Sequence, residues 1–257
     1  MALSFVGADS GTNTNGGNVT FDLSTVSPQV GDIVFIVSAV FGRAGTEGRI
    51  GNALSYTEIV DTTNTTRVRV AYKVFATGET GPVIEGSGNI ADATVGVWSI
   101  FRGQDTSTPI DVTTTTATGS STNPDPPSIT PTSNDCMILA MSGSGVNDTT
   151  PGTITSYTTA SNATRADDNP MSVALAYRLL SGGAGSGENP AAWSGWSTGA
   201  WVSATVAIRP AAAAAGQPTV KRMGGVKYVS GFRFNQGGNL WRKAGELLLP
   251  RPSIIRV

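Results

Sequence analysis

The chain has 257 residues, 39% apolar and 14% charged, with a formal net charge of −1. That is apolar material for one large β domain or two small ones, with charge well below the usual quarter. It contains no histidine and a single cysteine, which removes Ser-His-Asp and Cys-His catalysis, imidazole metal sites, internal disulfides and multi-cysteine zinc sites, and leaves paired carboxylates as the one routine catalytic template.

Residues 1–9 carry neither a basic n-region nor an apolar h-region and do not read as a signal peptide. No stretch approaches the ~20 continuous apolar residues of a membrane helix. Gly, Ser, Thr, Asn and Ala fill the space left by charge, and Thr and Val suit pleated, half-buried surfaces, so the composition predicts an all-β fold. Residues 32–40 are a near-continuous apolar run, as in a strand covered on both faces. Residues 42–51 are a Gly-rich connection. Over 67–74 the period is two: Arg67, Arg69, Ala71 and Lys73 share one face, Val68, Val70, Tyr72 and Val74 the other, which predicts a half-buried strand. Residues 95–101 alternate in the same way.

Asn-Pro-Asp-Pro-Pro at 123–127 reads as a rigid connection into a second unit. Residues 136–142 form another apolar run, and Cys136 within it reads as a buried, inert thiol rather than a nucleophile. Asp61, and Asp167-Asp168 after Arg165, lack the spacing of a calcium loop and read as solvated loop charges. Trp193, Trp196 and Trp201 form a cluster. Trp201 lies on a strand and reads as packed. Trp193 and Trp196 lie in a Gly/Ser loop and have two readings, core packing or an exposed platform for a glycan. A glycosidase would need two carboxylates facing across a cleft, and the sequence names no such pair.

The segments repeat with a period of about 105 residues. The run from Gly31 matches that from Asn134, the run from Val68 that from Val173, the run from Thr94 that from Trp201, and Ser55-Tyr-Thr matches Ser156-Tyr-Thr. The order is the same in both halves. Two such units, each unable to close a core, predict one antiparallel sandwich of jelly-roll type over residues 1–210, with halves of about 1–103 and 104–210; two tandem immunoglobulin-sized sandwiches are the rival. The short connection over 102–109 favours one shared core.

Residues 211–218 form an Ala/Gly/Pro linker, and 219–257 change character. Residues 217–257 hold eight Lys or Arg and one acid, a net +7, against −8 for the remainder. Such asymmetry suggests different partners for the two parts. The reading is an extended, basic, aromatic arm whose docking residues are Lys221, Arg222, Lys227, Tyr228, Phe232, Arg233, Phe234, Trp241, Arg242, Leu248, Ile254 and Ile255. Fully extended, the last 41 residues span at most roughly 130 Å. Ordering them costs ~1–2 kcal/mol per residue, more than burial of the large apolar side chains returns, so docking calls for main-chain pairing with a partner's sheet edge as well. Basic residues interleaved with aromatics also suit single-stranded nucleic acid, but these charges are spread thinly and the acidic body would repel it.

The strand pair Gly16-Gly17-Asn18-Val19-Thr20-Phe21-Asp22-Leu23 and Val30-Gly31-Asp32-Ile33-Val34 resembles the opening of a broad group of phage and prophage virion proteins. Phe101-Arg102-Gly103 with Thr108-Pro109-Ile110-Asp111, and Lys221-Arg222-Met223-Gly224-Gly225-Val226, are similar to further motifs of that group. The resemblance covers most of residues 1–231. It implies a non-enzymatic, cofactor-free structural protein of the virion, a capsid decoration, cement or tail-fibre subunit. Such a subunit would be made in the bacterial cytoplasm and carried on the particle surface. Implied partners are the major capsid or tail proteins and further copies of the chain, a trimer being the natural guess, with neither membrane nor nucleic acid. A carbohydrate-binding tail adhesin and a polysaccharide-degrading enzyme are the alternatives.

Overall fold

The structure, a computed structural model, describes residues 2–41, 47–50, 55–79, 81–86, 88–89, 91–146, 151–165 and 168–212, and the backbone of Val220–Met223 and Val226–Val229. Met1–Ala212 form one compact unit and Ala213–Val257 a second. No α-helix occurs among the described residues; the chain is built of strands and one 3-10 turn, Leu23–Val26, capped by the Asp22 carboxylate on Ser24 N–H.

In the first unit the strands are β1 (Ser4–Asn13), β2 (Val19–Thr20), β3 (Ile33–Phe41), β4 (Thr57–Asn64), β5 (Thr66–Val74), β6 (Val83–Ile84), β7 (Thr94–Arg102), β8 (Thr115–Ser121), β9 (Met137–Ser144), β10 (Thr158–Arg165), β11 (Met171–Leu179) and β12 (Gly199–Ile208). They make two five-stranded antiparallel sheets, ordered β1-β7-β3-β5-β4 and β10-β11-β9-β12-β8, and a small β2-β6 pair. Read from its own first strand, each large sheet has the same order: first, fifth, second, fourth, third. Finer features repeat as well. A bulge falls at Ile59 in β4 and at Ala160 in β10, opposite the same points of β5 and β11. Ser55 and Ser156 both adopt a left-handed backbone, at φ 56° and 67°.

The two sheets face each other in one sandwich. β1 and β7 lie against β10, β3 against β9 and β11, and β4 against β8 and β12. A single apolar core runs between them, with Ile33, Phe35, Val68, Val70, Val97 and Phe101 from one sheet and Met137, Leu139, Met141, Leu175, Val202 and Val206 from the other. This is the shared core that the short connection over 102–109 pointed to, rather than two tandem sandwiches. An aromatic clasp joins the sheets at one end: Phe5 stacks on Tyr177 at 4.7 Å, and both rings contact Phe101. Such pairs contribute about 0.5–1.5 kcal/mol each beyond their buried area.

The winding differs from the jelly-roll form expected of the sequence. A jelly roll alternates between its sheets, whereas here residues 4–102 complete the first sheet before the chain enters the second at Thr115. In each sheet one pair of consecutive strands is hydrogen-bonded, β4 with β5 through Thr65 and β10 with β11, and every other pairing joins strands further apart within the same half. Asn-Pro-Asp-Pro-Pro at 123–127 lies between β8 and β9, inside the second half, not between the halves.

Both outer faces are also covered. On the first sheet, Val34, Ile36, Ala71, Trp98 and Ile100 pack under Val19, Phe21, Leu23, Ile50 and Ile84. On the second, Ala140, Ala174 and Ala176 pack under Ile154, Trp193 and Trp196. The face of β5 that carries Arg67, Arg69 and Lys73 is therefore not open to water as alternation suggested, and Arg69 is only 3% exposed.

Candidate docking and binding surfaces

The sequence placed docking chemistry in the basic C-terminal segment. Two strands are described there, β13 (Val220–Met223) and β14 (Val226–Val229), paired antiparallel with Lys221 opposite Tyr228 and Arg222 opposite Lys227. Over these residues the chain doubles back in a hairpin rather than running extended. The sequence signal was available: Gly224-Gly225 between two strand-like runs is a hairpin signature. Phe232, Arg233, Phe234, Trp241, Arg242, Leu248, Ile254 and Ile255 lie outside the described residues.

Trp193 and Trp196 are not a sugar platform. They are 0% and 4% exposed, and their rings meet edge to face at 6.1 Å against β9 and β11. The surrounding backbone holds them there: Trp193 N–H donates to Pro124 O at 2.8 Å, and Asn123 Nδ2 donates to Trp193 O at 3.1 Å. Gly/Ser content made this segment look like an open loop, yet the small side chains let it lie flat on the alanine face of the sheet. Trp201 is packed as expected, its Nε1 donating to Ser121 Oγ at 3.0 Å and its ring lying over Gly119, where a Cβ would collide with it.

Several of the described carboxylates are engaged by cations. Asp32 accepts two bonds of 2.7 Å from Arg102. Asp61 is not a loop charge but a β4 residue held by Arg67 at 2.7 and 2.8 Å, and that hydrogen bonding keeps its carboxyl below the usual range. Arg69 reaches Glu58 at 2.6 Å, Asp61 at 3.4 Å and the Glu47 carbonyl at 3.0 Å. Glu188 takes Arg178 at 2.8 Å and the Tyr157 hydroxyl at 2.9 Å. Asp111 accepts from Thr132 N–H, Ser133 N–H and Arg209 Nε. Burial alone would raise its pKa, but hydrogen bonds from Ser133, Thr132 and Arg209 outweigh that and hold it at about 2. Such pairs tie strand ends together, and breaking a buried one leaves an uncompensated charge. Asp168 is described, outside any strand, and Asp167 falls outside the described residues.

A recess of about 710 Å³ opens over the first sheet, lined by Thr20, Phe21, Asp22, Ser24, Phe75 and Glu79 among others. Two carboxylates, Asp22 and Glu79, are among its lining residues, and no spacing in the sequence reveals this because they lie far apart in the chain. Asp22 accepts Ser24 N–H at 2.8 Å and Glu79 pairs with Lys73. Burial pushes the Cys136 thiol up to about 12, so a thiolate is suppressed at neutral pH.

Among the described residues no group of three or more His, Cys, Asp or Glu is placed to hold a metal, and no helix is long and apolar enough to cross a membrane. The chain matches no protein-family model, and none of the curated proteins is similar enough to count as a relative.

Proposed function

We propose that this chain is a non-enzymatic structural subunit of a bacteriophage particle, a capsid decoration, cement or fibre-attachment protein that docks through its C-terminal segment on the major capsid or tail proteins. The observation that carries the reading is the division of labour along the chain. The sandwich buries its large apolar side chains in its own cores, and the exposed large hydrophobics among the described residues are Val30 and Leu179 alone. The concentrated positive charge, a net +7 over residues 217–257, belongs to the other unit. A cationic segment of this kind suits an acidic docking surface, where it steers encounter and fixes register. The resemblance of residues 16–34, 101–111 and 221–226 to virion proteins supports the same reading. Trp193 and Trp196 are buried and so do not support the alternative of a carbohydrate-binding role.

The test compares particles assembled with the full chain and with a chain ending at residue 216. The shortened chain is expected to remain folded by circular dichroism and to be missing from purified particles. Normal incorporation of the shortened chain overturns the anchor.

A further inference from the structure

A sheet ends in an unpaired row of N–H and C=O groups, and proteins blunt such edges with bulges, charges or proline. The sandwich has four edge strands, β1 and β4 in one sheet, β10 and β8 in the other. Three are blunted. β1 carries a bulge at Val6 and the charge of Asp9. β4 carries a bulge at Ile59 and the charges of Glu58 and Asp61. β10 carries a bulge at Ala160 and the charge of Arg165. β8, Thr-Thr-Ala-Thr-Gly-Ser-Ser, has none of these devices, and its register with β12 is unbroken from Thr115 to Ser121.

Alternation identifies which groups of β8 are free. The Ala200 carbonyl faces β9, where it accepts Gly145 N–H at 3.2 Å. The next residue, Trp201, therefore turns its main chain to β8 and bonds with Gly119 opposite. Thr115, Ala117, Gly119 and Ser121 bond inward, and Thr116, Thr118 and Ser120 aim N–H and C=O away from the sheet. Those three are the exposed residues of the strand.

We propose that β8 is a homotypic docking edge, pairing antiparallel with β8 of a second copy about a two-fold axis through Thr118. Such an axis sets the outward residues only against one another: Thr118 faces Thr118, and Thr116 faces Ser120. Each pair exchanges two main-chain bonds. The cross-strand pairs are Thr–Thr and Thr–Ser, which are favourable, and no like charges meet. The two five-stranded sheets then continue as one across the dimer. The neutrality of β8 argues for this occupant over a charged one, because the basic C-terminal segment would find no ion pair along it. The assembly is two-fold, not the trimer suggested by the resemblance, and it does not depend on the phage reading.

The experiment uses the full chain at micromolar concentration. Thr118→Cys, with Cys136 buried, is expected to form a disulfide-linked dimer on oxidation. Thr116→Cys alone is expected to cross-link poorly, and a mixture of Thr116→Cys and Ser120→Cys to cross-link between the two chains. Thr118→Lys and Thr118→Glu should each weaken dimerisation by about tenfold or more in sedimentation, with dimer restored on mixing them. A monomeric wild-type chain overturns the proposal. So does cross-linking at Thr116 alone equal to that at Thr118, and so does capture of Thr118→Cys by a cysteine placed in the C-terminal segment instead.

Discussion

Arg102 closes β7 and Arg209 closes β12 at matching points of the two sheets, yet their carboxylates come from different places. Arg102 is held by Asp32, just before β3. The matching position before β9 is Cys136, because Ile33 and Met137 are equivalent: Ile33 pairs with Phe101 and Val74, Met137 with Ile208 and Leu179. In the second half the acid is supplied by Asp111 from the chain entering β8. The common demand is a buried partner for the strand-ending guanidinium. Which backbone position supplies it is free to change, provided one carboxylate is within reach.

The largest test concerns the outer cover of each sheet. Trp98 projects from strand β7 and Trp193 from a long connection, and both are fully buried. Each Trp→Ala is expected to lower stability by about 3–5 kcal/mol in denaturant unfolding. A loss below about 1 kcal/mol for Trp193→Ala alone would make the second cover dispensable and break the parallel between the halves.

Asp32→Ala and Asp111→Ala should cost about 2–4 kcal/mol each, since each strands an arginine and one or more backbone donors. The two losses should add in the double variant, the sites having no partner in common. Clear non-additivity in thermal or chemical unfolding would mean that the two ends act as one network.

The smallest effect is in pH. Asp111 has a folded pKa of about 2, below its ordinary value of 3.8, so its contribution is complete above the ordinary value and is lost as pH falls toward 2. The wild type should therefore lose stability across that window more steeply than Asp111→Asn. Equal slopes would show that the Arg209 site carries no linkage.

Strand positions were legible in the sequence wherever one face differed from the other. Residues 67–74 alternate, and the structure turns Val68, Val70 and Tyr72 to the inner core as read. The sequence match between 31–39 and 134–142 is one residue out of step, setting Asp32 against Asp135. In the structure Gly31 and Asp135 share the left-handed turn, at φ 91° and 58°, and Asp32 corresponds to Cys136. A strand covered on both faces has no alternation to set its register, and a one-residue slip exchanges its faces.

The sequence alone determined that the chain is all-β, that its segments recur with a period of about 105 residues, and that its cations gather at one end. These follow from side-chain period, β-branched content and charge order, which are local properties. The tertiary structure alone decided that the two halves share one core, that each half forms a whole sheet, that Trp193 and Trp196 cover the outer face of the second sheet, that Asp22 and Glu79 line one recess, and that β8 is the unguarded edge. Each of these depends on which distant segments meet, and contacts between residues far apart in the chain leave no periodic trace along it.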